Sequence, residues 1–309
     1  MRVVLAALSL AMLLLGGTAS AQPNALPGRL LFVKDGDLWV YQNGSANQLG
    51  AGGTWSQPAW APDGASLAYV YRGTNFADIF VTDERGEAQR RLTDSQSTIL
   101  ENNDWNLRPS WSPDGKLIAF VSDRASAFPV LWLMNAVDGS AGRALATPGI
   151  QQEAVDAIAW SPDGTQLAVT LYNDPGPSQV GLIPLTTNGR ELGRVLTNSP
   201  GGALDPAWSP DGTWLAYAGH DGVSLELHAV KPDGSGVQRL TQDGFFARSP
   251  VWSPDGGHIA YVSSRSGYFE VWAIDVQLDA SGTSWIASKP RQLTQDLHVD
   301  ASSGLSWGP

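Results

Sequence analysis

Short apolar runs recur along the chain from residue 30 onward, four or five residues long and bounded by Gly, Pro, Asp or Asn. One set lies at 30–33, 67–71, 117–121, 167–171, 214–218 and 258–262. A second run follows each of these, at 37–41, 78–81, 131–134, 180–183, 225–229 and 270–274. Runs of this length between turn residues predict strands. No segment keeps a helical spacing of apolar positions over ten residues. The chain is therefore expected to be all-β.

The runs are paced by Trp-Ser-Pro-Asp-Gly at 111–115, 160–164, 208–212 and 252–256. A near copy with Ala for Ser starts at Trp60, and a broken copy, Ser306-Trp307-Gly308-Pro309, ends the chain. The steps between these tryptophans are 51, 49, 48, 44 and 55 residues, a period that signals a repeat architecture. Each unit reads alike: a short strand ending in the Trp, the Pro-Asp-Gly turn, two apolar strands, and a fourth strand ending in Leu-Thr or close to it. Five units are complete. The N-terminal strands at 29–33, 37–41 and 47–49 lack a Trp strand, and the C-terminal segment 304–307 supplies only that strand. Together they make a sixth unit. The expectation is a six-bladed β-propeller of four-stranded blades, its ring closed by the N-terminal strands pairing with the C-terminal strand.

The motif reads as turn chemistry. Pro presets φ at the second turn position, Ser and Asp bond locally, and Gly supplies a positive φ. Asp63, Asp114, Asp163, Asp211 and Asp255 are thus expected to form turns rather than hold a metal. Each Trp is expected to pack against the neighbouring blade, burying about 150–250 Å².

Composition narrows the class. There are no cysteines, so packing without disulfides holds the fold and a bacterial lipoprotein anchor site is missing. The formal net charge of −11 argues against nucleic acid or an anionic membrane as partner. Residues 1–21 carry Arg2, an apolar run and Ala19-Ser20-Ala21, the pattern of a signal peptide cleaved after Ala21. Residues 22–28 form a lead-in and 29–309 the propeller. A soluble, periplasmic or secreted protein with no membrane insertion is expected, as a monomer.

The repeat resembles the propeller of TolB, a periplasmic protein of the Tol-Pal envelope system. The resemblance rests on Trp-Ser-Pro-Asp-Gly, the Ile118–Ser122 and Ile259–Ser263 strands, Asp123-Arg124 and Ser264-Arg265 after them, third strands ending in Asp83 and Asp275, and the closing Leu-Thr. It implies a non-enzymatic scaffold that binds a protein or peptide partner, such as an envelope lipoprotein. With only 22–28 ahead of the propeller, the N-terminal domain of TolB is expected to be lacking. Similar repeats form the propellers of some proteases and polysaccharide lyases. A hydrolase or lyase, or a carbohydrate-binding sensor using the channel mouth, therefore remains the alternative. No Gly-x-Ser-x-Gly occurs, and His220, His228, His258 and His298 lack zinc-site spacing. No metal, cofactor or catalytic residue is expected.

In such a fold the strand 2–3 loops and the blade-to-blade loops share the face opposite the Pro-Asp-Gly turns. They hold the long loops, including 94–107 with Glu101 and 148–156 with Gln151, Gln152 and Glu153. Gln57, Arg108, Asp156, Asp205 and Arg248 precede their Trp strands and are expected near the channel mouth. Trp55 and Trp105 are read as loop aromatics on that face, and all seven as candidate partner-binding residues. The long hairpin 276–290 with Trp285 is read as a second contact point or an insertion, and Asn43-Gly44-Ser45 as a hairpin turn.

Overall fold

The computed structural model describes residues 26–50, 52–99, 103–124, 126, 128–145, 154–172, 175–185 and 192–309. The predicted signal peptide 1–21, residues 22–25 of the lead-in, and Glu101, Gln151, Gln152 and Glu153 lie outside the described residues. Six antiparallel sheets form the ring of a β-propeller. The innermost strands are Trp55–Trp60, Asn106–Trp111, Ala154–Trp160, Ala203–Trp208, Ala247–Trp252 and Ser306–Gly308, which number the blades one to six. In blade six, Arg29–Lys34 pairs with Ser306–Gly308, with Leu30 opposite Trp307, and Asp37–Gln42 and Ser45–Gly50 follow outward. The ring closes as the two ends of the repeat require, so neither end of the array leaves an open edge.

Period-two alternation builds the core. In Leu117–Ser122, Ile118 and Phe120 face blade one while Ala119 and Val121 face blade three. The buried apolar residues fall into six clusters, each joining two successive blades. A blade therefore has two buried faces, and its second strand reads as a continuous apolar run.

The repeated tryptophans tie these seams. Trp111, Trp160 and Trp252 donate their indole N–H to the carbonyls of Ala59, Ser110 and Ala207, at 3.2, 3.0 and 3.2 Å. Each acceptor is the residue before the Trp of the preceding blade. At the closure Trp60 donates to Arg29 O and Trp307 to Pro27 O. Trp208 Nε1 has no partner among the described residues. Arg29 locks the closure, its guanidinium 4.3 Å from the Trp60 ring centre and bonded to Glu84 and to the carbonyls of Gly64 and Pro309.

The five aspartates form turns. Gly115 N donates to Ser112 O at 2.9 Å, Ser112 Oγ donates to Asp114 at 2.7 Å, and the amides of Lys116 and Leu117 donate to Asp114 and Ser112 Oγ. The copies at Ser161, Ser209 and Ser253 repeat this, and the five glycines have φ of 65–72°. Ala61 lacks the hydroxyl, and there Asp63 accepts from Ala65 N alone. Asn43 and Gly44 adopt φ of 52° and 80°, a hairpin turn between two blade-six strands.

The fourth strands differ from expectation. In blades one to five they are two-residue pieces such as Arg90–Arg91 and Gln238–Arg239, with Leu-Thr just beyond these two. Leu92 N still bonds Ile79 O at 2.8 Å, but the next residue turns inward and Thr93 Oγ1 accepts from Ile79 N at 2.9 Å. Thr197, Thr241 and Thr294 do the same with the amides of Val180, Leu227 and Val271. The long hairpin adds Trp285–Ala287 to blade five. Trp285 packs 5.1 Å from Trp252 and 5.9 Å from Trp214, and its backbone N–H bonds Gln238 of blade four at 2.7 Å. The hairpin is a staple between blades four and five.

Two outcomes follow from this packing. Trp252→Ala should cost about 3–5 kcal/mol in urea unfolding, through lost seam burial and the lost bond to Ala207. The Ser112 hydroxyl, helped by the Lys116 amide, holds Asp114 down to about 2. A depressed folded pKa contributes stability above the unfolded value and loses it as pH falls toward 2. Ser112→Ala should return Asp114 toward 3.8 in an NMR titration and narrow that acid-sensitive window.

Candidate functional site

In blades one to five the inner strand breaks register three residues before its tryptophan. The pairing with the second strand jumps between Ser56 and Ala59, Leu107 and Ser110, Asp156 and Ile158, Leu204 and Ala207, and Arg248 and Val251. At that position Gln57, Arg108, Ala157, Asp205 and Ser249 have φ between 38° and 56°, and Gly304 has φ 75°. In blades one to five a bulge thus re-aims one side chain toward the axis. Together these six residues line one end of a central cavity of about 360 Å³.

Five of the predicted residues meet at this level. Arg108 Nε and Nη2 bond both oxygens of Asp156 at 2.7 and 3.2 Å, and Nη1 reaches Ser302 O at 3.3 Å. Arg248 bonds both oxygens of Asp205 at 2.9 and 3.2 Å. Ser249 donates to Asp205 through its amide and hydroxyl, and Gln57 Oε1 accepts from Arg108 N at 2.7 Å. Two-pronged Arg–carboxylate pairs fix orientation as well as charge. Burial pushes the Asp205 carboxyl up, but Arg248 and Arg108 outweigh it and hold it below the usual range. Burial raises the Tyr172 phenol, and Asp156 and Asp205 add to the rise. The charges thus form one compensated layer across the channel.

The two tryptophans assigned to this face are corrected. Trp55 begins an inner strand, is 5% exposed, and stacks 4.0 Å from Tyr69. Trp105 is half-buried, its amide tied to Asp123 and its ring in the seam of blades one and two. The exposed aromatics are others: Phe128, Tyr172, Phe245, Phe246, Tyr268 and Phe269. All six belong to loops or strand ends of the loop face, and no Phe, Tyr or Trp among the described residues is comparably exposed on the turn face. Four of them form a patch on blade five, on its loop from blade four and its own strand 2–3 loop. Phe246 and Phe269 meet edge-on at 5.7 Å, Tyr268 stacks on His298 at 4.0 Å, and Arg265 lies 5.6 Å from Phe245. The sequence signal of the patch is the pair of doublets Phe245-Phe246 and Tyr268-Phe269, after Gly244 and Gly267.

Buried polar sockets hold these loops. Glu226 accepts from Thr241 Oγ1 and Gly244 N, fixing the loop of Phe245. Glu270 accepts from Thr294 Oγ1 and the amides of Leu297 and His298, fixing the ring beneath Tyr268. Asp78 with Thr93 and Ser95, and Gln179 with Thr197 and Ser199, repeat the device in blades one and three. The closing Thr thus serves strand and loop at once.

The histidines do not converge. His228 stacks on Tyr217, and burial lowers its pKa; His258 pairs with Asp275 at 2.8 Å. Among the described residues no group of three or more His, Cys, Asp or Glu is placed to hold a metal. The groups gathered at this end are an aromatic surface and paired charges.

Residues 147–291 match the TolB beta propeller domain, PD40. The chain is 34% identical over 103 residues to the Tol-Pal system protein TolB of Alcanivorax borkumensis, covering 31% of this chain and 23% of that protein. It is 26% identical over 201 residues to the peptidase YuxL of Bacillus subtilis, covering 53% of this chain and 29% of that one. The chain therefore spans well under half of either relative. The structure of a putative TolB from Agrobacterium tumefaciens superposes with a TM-score of 0.68 at 18% identity, covering 93% of this chain and 94% of that one, a likeness of fold.

Asp205, 6% exposed, and Asp156, whose side chain is 27% exposed, separate the two ion pairs by test. Asp205→Asn strands Arg248 and should cost about 3–5 kcal/mol in chemical denaturation. Asp156→Asn changes the more exposed carboxylate and leaves Arg108 with Asp205 as a second counter-charge, so it should cost less.

Proposed function

We propose that this TolB-like six-bladed propeller is an exported, non-catalytic scaffold that captures a protein or peptide partner in the cell envelope on its loop face. The observation that carries the reading is the confinement of all six exposed aromatics of the described residues to that face. Exposed aromatics on rigid loops supply contact area at low ordering cost, and such residues dominate binding energy at protein interfaces. The buried sockets keep the patch preorganised, and the compensated charge layer beside it supplies polar complementarity without a large net field.

The similarity to TolB supports an envelope setting, with a lipoprotein as a fitting partner, and the signal-like residues 1–21 support export. Propeller 29–309 acts here as one binding domain. Gln57, Arg108, Asp156, Asp205 and Arg248 contribute through the channel mouth, and the aromatic patch takes the anchor role first given to Trp55 and Trp105. The similarity to YuxL supports a second reading, in which the propeller serves a peptidase. Turnover of peptide substrates by the purified chain would favour that reading over the scaffold.

Immobilised protein should retain a specific partner from an envelope extract of its source organism, and the identified partner should bind in a purified pairwise assay. Tyr268→Ala with Phe269→Ala should weaken that pairwise affinity by about tenfold or more. Val137→Ala with Ile286→Ala, on the turn face, should leave it unchanged. The reverse pattern would assign the partner to the other face.

A further inference from the structure

The central cavity runs from the bulge residues to Pro113 and Pro162 in the Pro-Asp-Gly turns, so it reaches the face opposite the aromatic patch. Its middle is walled by the residues two before each tryptophan: Pro58, Pro109, Ile158, Pro206, Pro250 and Leu305. Four of the six are prolines, which carry no N–H and hold a fixed φ. That belt is apolar, rigid and without side-chain donors.

The inner end is different. Asp205 spends both oxygens on Arg248 and Ser249. Gln57 is 6% exposed and uses only its Oε1, as acceptor from Arg108 N; its Nε2 has no hydrogen-bond partner among the described residues. Arg108 uses Nε and Nη2 on Asp156 and one Nη1 hydrogen on Ser302 O, and its remaining hydrogens have no partner there either. Both residues line the cavity, whereas Asp156 and Arg248 do not. The N–H donors left open at this end are thus those of Gln57 and of the Arg108 cation. Ala157 and Gly304 at the same level leave room beside them.

We propose that the channel beneath the partner face is a second ligand site, sharing Gln57 and Arg108 with the mouth, which takes a compact carboxylate: the head accepts from Gln57 Nε2 and Arg108 Nη1, and an apolar body lies along the proline belt. Its volume of about 360 Å³ suits a small ligand. An acceptor head pairs donors that open onto the cavity without a protein partner, whereas a cationic head meets the charge of Arg108. The carboxylate comes either from a free acid or from the C-terminus of a peptide, which present the same chemistry.

Isothermal titration with octanoate, octylammonium and acetate tests the site. Octanoate should bind, with octylammonium and acetate each weaker by about tenfold or more, the first for charge and the second for the missing body. Ala157→Leu fills the inner end and should abolish binding. Gln57→Leu, which leaves both ion pairs intact, should weaken it several-fold, with the thermal midpoint of each variant confirming a folded ring. The tripeptide Leu-Leu-Ala, with a free or an amidated C-terminus, assigns the source: tighter binding of the free form than of octanoate points to a peptide end, and weaker binding to a free acid. No heat with octanoate or the free tripeptide, equal affinity for octylammonium, or unchanged affinity in Ala157→Leu would overturn the proposal.

Discussion

Each blade depends on one backbone conformation, the left-handed residue three positions before its tryptophan. Five of the six are not glycine, so the ring holds five residues in a conformation that side chains rarely adopt. The bulge it creates separates two roles on one short strand. Upstream of it the strand follows the loop face and carries Asp156 and Arg248. Downstream it restores register, so the tryptophan enters the seam and donates across to the preceding blade. Without the bulge the alternation would run on unbroken and the channel residues would fall out of line with the axis.

From that constraint the polar interior follows. Side chains turned to the axis cannot reach bulk water freely, so opposite charges pair there: Arg108 with Asp156, and Arg248 with Asp205. Farther out the same need is met by Asp78, Gln179, Glu226 and Glu270, each satisfied by the closing threonine and by amides of the next loop. These acceptors make loop order a consequence of blade folding. The aromatic patch sits on two such pinned loops, as a partner-binding surface needs if its contacts are not to be spent on ordering.

The faces are unlike for a physical reason. The turn face repeats Pro-Asp-Gly, a turn that closes on itself and offers few free groups. The loop face spans between blades and must vary with the chain that crosses it. Diversity, exposure and aromatic content therefore gather there, while the turn face keeps only the opening of a channel lined by repeated residues.

Strand order, blade number and ring closure were legible in the sequence, because turn residues and strand runs act over a few neighbours and the repeat multiplies the signal. The nearness of Gln57, Arg108 and Asp205 to the channel was legible too, each three residues before a tryptophan, while Asp156 and Arg248, four before, stand beside the lining and pair with it. Which of them pair was not, because that depends on neighbours about fifty residues away along the chain. The length of the fourth strands was misjudged, since Leu-Thr looks extended until its threonine finds a buried acceptor. Exposure was the largest gap. Trp55 and Tyr268 are both aromatics beside glycine-containing loops in the sequence, yet one stacks on Tyr69 in a seam and the other stands 61% exposed over His298. Local sequence determined where the chain turns and how many blades it makes. Only the tertiary structure decided which aromatics face water and which charges meet, because both are settled by packing across seams between blades.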